Sequence, residues 1–209
     1  MTYEQRKQER QALIEYLLAQ EWNVFGTLKF ANGRTIGRET ANTMLCSYWN
    51  KIDRVFFGKA AERQNMRVPR WCFAHEGSDS ENYHIHFALQ ATIPDVDQMC
   101  CTLNAVWAQH HNQTAPLFKN WVMPATDRTA VASYLTREYW RLGSDTFLDT
   151  MSWDDQAAVS AFKDYHHLKQ ANRLSKAVSP LWLKQAHQAL DHQKAAYQAD
   201  ADQFITERG

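Results

Sequence analysis

Two runs of strand composition, Arg70 to Glu76 and Tyr83 to Gln90, flank Gly77-Ser78-Asp79-Ser80-Glu81-Asn82, a segment dominated by turn formers. Such a segment between two apolar runs closes an antiparallel hairpin. The neighbouring segments supply partners for its strands. Trp22 to Phe30 has strand composition and ends at the turn residues Ala31-Asn32-Gly33. Between it and the hairpin, Leu45, Trp49, Ile52, Val55 and Phe56 recur at three and four, which predicts a helix over 39–57 stopped by Gly58.

Downstream, Ile93-Pro94-Asp95 opens a helix through Met99, Leu103, Val106 and Trp107, and Leu117 to Met123 reads as a further strand. Thr126 or Asp127 can cap a helix over 128–142, with Gly143 as its left-handed end. The order β-α-β-β-α-β-α predicts an α+β fold of ferredoxin-like or RRM-like type. Its antiparallel sheet carries helices mainly on one face and leaves the other open to a ligand. Leu13, Leu17 and Leu18 predict a short amphipathic helix over 2–20 ahead of it.

These segments define a domain over residues 1–144. Residues 145–209 are rich in helix formers without a strand signal, and are expected as a C-terminal helical extension divided at Pro180. There Leu183, Leu190, Tyr197 and Phe204 repeat every seven residues. Packing of that stripe on its own domain is one reading, and a seam for self-association is the other.

The chain has 209 residues with 44% hydrophobic content, enough for one well-filled core. Its 23 basic and 23 acidic side chains cancel, so any contact with nucleic acid must come from a local patch. Lys51, Arg54, Lys59, Arg63, Arg67 and Arg70 form such a stretch against only Asp53 and Glu62. Cys46, Cys72, Cys100 and Cys101 form no C-x-x-C pair and two are adjacent, so neither a zinc ribbon nor a secreted disulfide framework is suggested, and a reducing compartment fits best. No run approaches the roughly 18 apolar residues that cross a membrane, so an intracellular protein with no membrane partner is expected.

The chemistry concentrates in two places. In a strand, His84 and His86 point to the same face while Ile85 and Phe87 point to the other, so two imidazoles can share one metal ion. Nine histidines make this spacing common by chance, so the neighbouring residues must carry the argument. With a hairpin turn centred near Asp79-Ser80, Glu76 pairs close to His84 and can serve as a third, oxygen ligand. Two imidazoles and a carboxylate leave coordination positions open, which suits a catalytic Mg²⁺ or Mn²⁺ that also holds a phosphate oxygen. His75 is expected as a packed or hydrogen-bonded histidine at the hairpin edge.

The second place is Ser133-Tyr134-Leu135-Thr136-Arg137-Glu138-Tyr139. Tyr134, Arg137 and Glu138 share a helix face by their spacing, whereas Tyr139 lies about 140° around from Tyr134, so only one of the two tyrosines can face the metal. A phenol with a pKa near 10 is a poor nucleophile, and attack on phosphorus needs a cation that polarises the phosphate. The alternative is an ordinary amphipathic-helix tyrosine beside a surface ion pair.

Together these residues resemble the HUH endonucleases, the superfamily of rolling-circle replication initiators, relaxases and some single-strand transposases. Phe25-Gly26-Thr27-Leu28-Lys29-Phe30 resembles the first Rep motif, Glu76 with His84-Ile85-His86 the metal motif, and Ser133 to Glu138 the Y-x-x-K motif. The likeness spans about residues 22 to 142. It implies a single tyrosine, Tyr134, that attacks a DNA phosphodiester to leave a 5′-phosphotyrosine and a free 3′-OH. It also implies single-stranded or hairpin DNA as partner, a role in starting rolling-circle replication, and a host helicase for unwinding, since no G-x-x-x-x-G-K-[ST] motif occurs.

Arg137 stands where the family has lysine. Arginine keeps the charge and binds phosphate bidentately, but it does not readily give up a proton. Trp22, Phe25 and Trp71 are candidate stacking surfaces for unpaired bases. Thr27, Lys29, Arg34, Lys59, Arg63 and Arg70 are candidate DNA contacts. Transposition or conjugation would use the same chemistry, while a non-catalytic RRM-like binder with structural histidines is the reading from a different class.

Overall fold

The computed structural model describes residues 2–31, 33, 35–76, 83–110, 114–115 and 119–151, together with 184, 186, 188, 190–192 and 195. Helix α1 (Tyr3–Ala19) starts at a capping box, in which the Thr2 hydroxyl and the Gln5 side chain each accept a hydrogen bond from the other residue's backbone N–H. Strand β1 (Val24–Lys29) follows, then α2 (Arg38–Phe57) and the single turn α3 (Ala60–Arg63). Gly58 ends α2 at a φ of 58°, where a side chain would be strained.

The predicted hairpin is β2 (Arg70–His75) and β3 (His84–Leu89). Helix α4 (Val96–His110) follows it, with the Asp95 carboxylate accepting from the Gln98 N–H at 2.9 Å. Strand β4 (Trp121–Pro124) then leads to α5 (Arg128–Leu135), whose first turn is capped by Asp127 through the Ala130 N–H at 2.9 Å.

The helix expected over 128–142 is interrupted. A turn at Thr136–Glu138 separates α5 from the short α6 (Tyr139–Leu142), and Gly143 closes α6 at a φ of 58°. The Thr136 hydroxyl bonds back to the Ala132 carbonyl at 3.0 Å, a competition with the helix ladder that bends the chain there. Strand β5 (Phe147–Met151) then adds to β2, inside the stretch expected to be helical and past the boundary expected at 144. Of the heptad residues only Leu190 is described. It is helical and 2% exposed, and it belongs with Ala186 to the main core.

The result is an α+β protein whose five-stranded antiparallel sheet has the order β4-β1-β3-β2-β5. Alternation along the strands divides its residues between two apolar clusters. Leu28, Cys72, Ile85, Phe87 and Leu89 pack under α2 and α4 in the larger one. Trp71, Phe73 and Ala88 point to the other face, where Ile14 and Leu17 of α1 and Ala132 and Leu135 of α5 cover them. The second face is therefore covered in part by α1 and α5, and His84 and His86 lie on it outside that apolar cluster. Among the described residues the four cysteines are free thiols, and no helix is long and apolar enough to cross a membrane.

Candidate metal centre

Strand register decides which side chains meet. In β2 and β3, His75 lies opposite His84 and Phe73 opposite His86. Cross-strand partners share a face, so His75 joins the two imidazoles and Glu76, one residue on, is turned away from them. His75, His84 and His86 are 1%, 8% and 1% exposed, and one ligand atom from each lies within 4.8 Å of the others. The third side chain of the cluster is thus the imidazole of a histidine expected to be only packed, not the Glu76 carboxylate. Glu76 instead accepts from Arg38 Nη1 at 3.3 Å and lies 3.8 Å from Arg141.

Neighbouring groups set the ring orientations. Nδ1 of His86 is 2.9 Å from the Thr27 hydroxyl, its partner across β1 and β3, while its Nε2 lies 3.1 Å from Nε2 of His84. With Nδ1–H donated to Thr27, Nε2 of His86 carries a lone pair, as a metal ligand requires. Burial holds His86 well below the ordinary histidine pKa, and charge on His84, His75, Arg137 and Lys29 lowers it further. The imidazole stays neutral at neutral pH. Two buried, nearly touching Nε2 atoms with a third imidazole beside them form a donor set that fits one divalent cation.

Tyr134 completes the site. Its ring lies 4.8 Å from the His86 ring and edge-on to Phe25 at 5.9 Å, yet the side chain is 40% exposed. The Arg137 guanidinium sits 4.5 Å from the Tyr134 ring centroid and also reaches His75, with Nε 3.3 Å from Nδ1. The interrupted helix therefore still brings Tyr134 and Arg137 to one place. Tyr139 does not come with them, since its hydroxyl donates to Glu9 Oε2 at 2.9 Å and the ring is buried against α1. Glu138, which sequence reasoning placed on the tyrosine face without a role, lies 3.2 Å from Nδ1 of His75.

The expected DNA contacts scatter. Thr27 is buried and serves His86. Lys29 is exposed at the site end of β1, opposite His84, and its backbone is fixed by Asn120 Oδ1 at 3.1 Å and by the Trp107 indole at 2.9 Å. Arg70 is 4% exposed, bonds both Asp53 oxygens at 3.0 and 3.2 Å and lies over the Trp49 ring, so it is not available to a phosphate. Arg54 and Arg67 are ion-paired to Glu62 and Asp53.

Lys59 and Arg63 are exposed but lie past the far end of α2, a 20-residue helix. The opposite end of α2 is the one that meets Glu76, beside the histidines. Arg34 lies outside the described residues. Of the aromatic candidates, Trp22 and Trp71 are buried, and only Phe25 borders the site.

Fold and site define an α+β protein with a buried three-imidazole cluster overlooked by an exposed tyrosine. Compared with family models, with curated proteins and with solved structures, the chain matches none.

Proposed function

We propose that the chain is a metal-dependent endonuclease of the HUH type, which nicks and rejoins single-stranded DNA through a covalent bond to Tyr134. The carrying observation is the exposed phenol of Tyr134 packed against a buried cluster of three imidazoles, with Arg137 touching both. The strand order β4-β1-β3-β2 within a β-α-β-β-α-β passage supports a ferredoxin-like reading of the sheet.

A divalent cation bound by the three imidazoles would polarise a phosphate oxygen and lower the barrier to attack. The phenol gives up its proton to solvent and its oxygen forms a bond to phosphorus as the bond to the 3′ oxygen breaks, and that oxygen takes a proton from water, leaving a 5′-phosphotyrosine and a free 3′-OH. Arg137 holds the phenol and offers two N–H groups to the phosphate, without supplying a proton. Three nitrogens and no carboxylate form a softer donor set than Mg²⁺ selects, which favours Mn²⁺ or a later first-row ion. Initiation of rolling-circle replication, with unwinding left to a helicase partner, is the preferred setting. Transposition and conjugation share the chemistry, and the DNA products separate them.

A non-catalytic RRM-like binder would need bases stacked on an open sheet face. Here Trp71 and Phe73 on that face are buried under α1 and α5, which argues against it. The test incubates the protein with Mn²⁺ and a pool of single-stranded oligonucleotides and resolves the products on a denaturing gel. A covalent adduct is expected, lost in Tyr134→Phe and in EDTA. Cleavage without an adduct overturns the tyrosine mechanism, and binding without cleavage overturns the enzyme.

A further inference from the structure

His75 is buried between opposite charges. On one side Arg137 Nη2 meets Nε2, and on the other Glu138 Oε1 is 3.2 Å from Nδ1. A guanidinium offers only donors and an ionised carboxylate only acceptors. A proton on Nδ1 would therefore suit both contacts, with the Nε2 lone pair toward Arg137 and Nδ1–H toward Glu138, although Arg137 Nε also comes within 3.3 Å of Nδ1 as a donor. The opposite tautomer would satisfy that one donor but would aim a lone pair at the carboxylate and an N–H at the guanidinium, two repulsive contacts against one favourable one.

Glu138 is itself held in place. Arg141 donates to Oε2 through Nε at 3.1 Å and Nη2 at 2.6 Å, which leaves Oε1 for His75. Arg141 also lies 3.8 Å from Glu76 Oε2, while Glu76 Oε1 takes Arg38 Nη1 at 3.3 Å. Charges alternate from the first residue of α2 to the buried imidazole, and the two oxygens of each carboxylate serve different partners.

We infer that Glu138 is a positioning residue of the metal centre, fixing His75 in the tautomer whose Nε2 lone pair, held by Arg137 here, can pass to a cation that displaces the guanidinium, with Arg141 and Glu76 bracing the carboxylate from behind. This rests on the metal reading proposed above. The carboxylate expected among the ligands thus acts one layer out, and a different carboxylate touches the ligand. Outer partners of this kind change metal affinity by roughly 10- to 100-fold when removed.

The experiment uses the full chain labelled with ¹⁵N-histidine. Nitrogen NMR in EDTA, assigned with His75→Gln, is expected to show His75 protonated at Nδ1 in the wild type and not held there in Glu138→Ala. Titration with Mn²⁺ is expected to show about 10-fold or greater weakening in Glu138→Ala and a smaller loss in Glu76→Ala. A wild-type His75 protonated at Nε2, or Mn²⁺ affinity unchanged in Glu138→Ala, overturns the inference while leaving the metal site intact. Failure of the wild type to bind Mn²⁺, or binding that survives His84→Ala, overturns the metal reading instead.

Discussion

Arg137 keeps one positive charge beside the rings of Tyr134 and His75, and a planar fork reaches both where an ammonium would reach one. That charge would oppose a cation at the proposed metal site, so Arg137→Ala should bind Mn²⁺ more tightly, by about tenfold or more. Weaker binding in a calorimetric titration would assign the arginine to ligand support instead. His86 gives a pH dependence of definite sign. Its native pKa lies well below the ordinary value of 6.5, so the native state takes up fewer protons than the unfolded chain. Its contribution to stability is complete above about pH 6.5 and is lost as pH falls toward the native value. Urea midpoints in EDTA should fall between about pH 7.5 and 5, and the fall should shrink in His86→Gln. At this scale Tyr134, His84 and His86 were legible from spacing. His75 was legible in principle, because a turn centred between residues 79 and 80 pairs position 75 with 84. The roles of Thr27 and Glu138 depend on contacts across strands and elements, which spacing alone does not reveal.

At the level of elements, β1 depends on the lack of a side chain at Gly26. A Cβ there would fall 2.1 Å from two ring carbons of Phe87, its partner across the sheet. Gly26→Ala must push the ring away or part the strands, and is expected to cost about 3 kcal/mol or more, beyond ordinary overpacking. Denaturant unfolding checks this, and an unchanged midpoint would mean that the ring is not packed there. The apolar periodicities located α2, α4 and the hairpin closely. Strand β5 was missed because Phe147-Leu148-Asp149-Thr150-Met151 is short and carries an acidic residue, and pairing with β2 supplies what propensity lacks. The break between α5 and α6 was missed because Thr136 is an ordinary helix residue until its hydroxyl turns back on the ladder.

For the whole molecule, neutral composition turned out to hide internal pairing. Half of the basic stretch over 51–70 is consumed by Asp53 and Glu62. Asp53 is fully buried, taking Arg70 and the Val68 N–H at 2.8 Å, so it ties the end of α2 to the start of β2. Asp53→Ala strands a buried guanidinium and should cost about 3–5 kcal/mol, read as a lowered denaturation midpoint. An effect confined to DNA binding would return Arg70 to the surface. Every residue of β2 is buried, Trp71 and Phe73 toward one side and Cys72 and Ala74 toward the other. Sliding that strand by a single position would drive each of them into the wrong layer. Apolar packing along β2 therefore turns an imidazole, not a carboxylate, toward His84 and His86, and a substitution in that packing that shifts the strand should exchange position 75 for position 76 there.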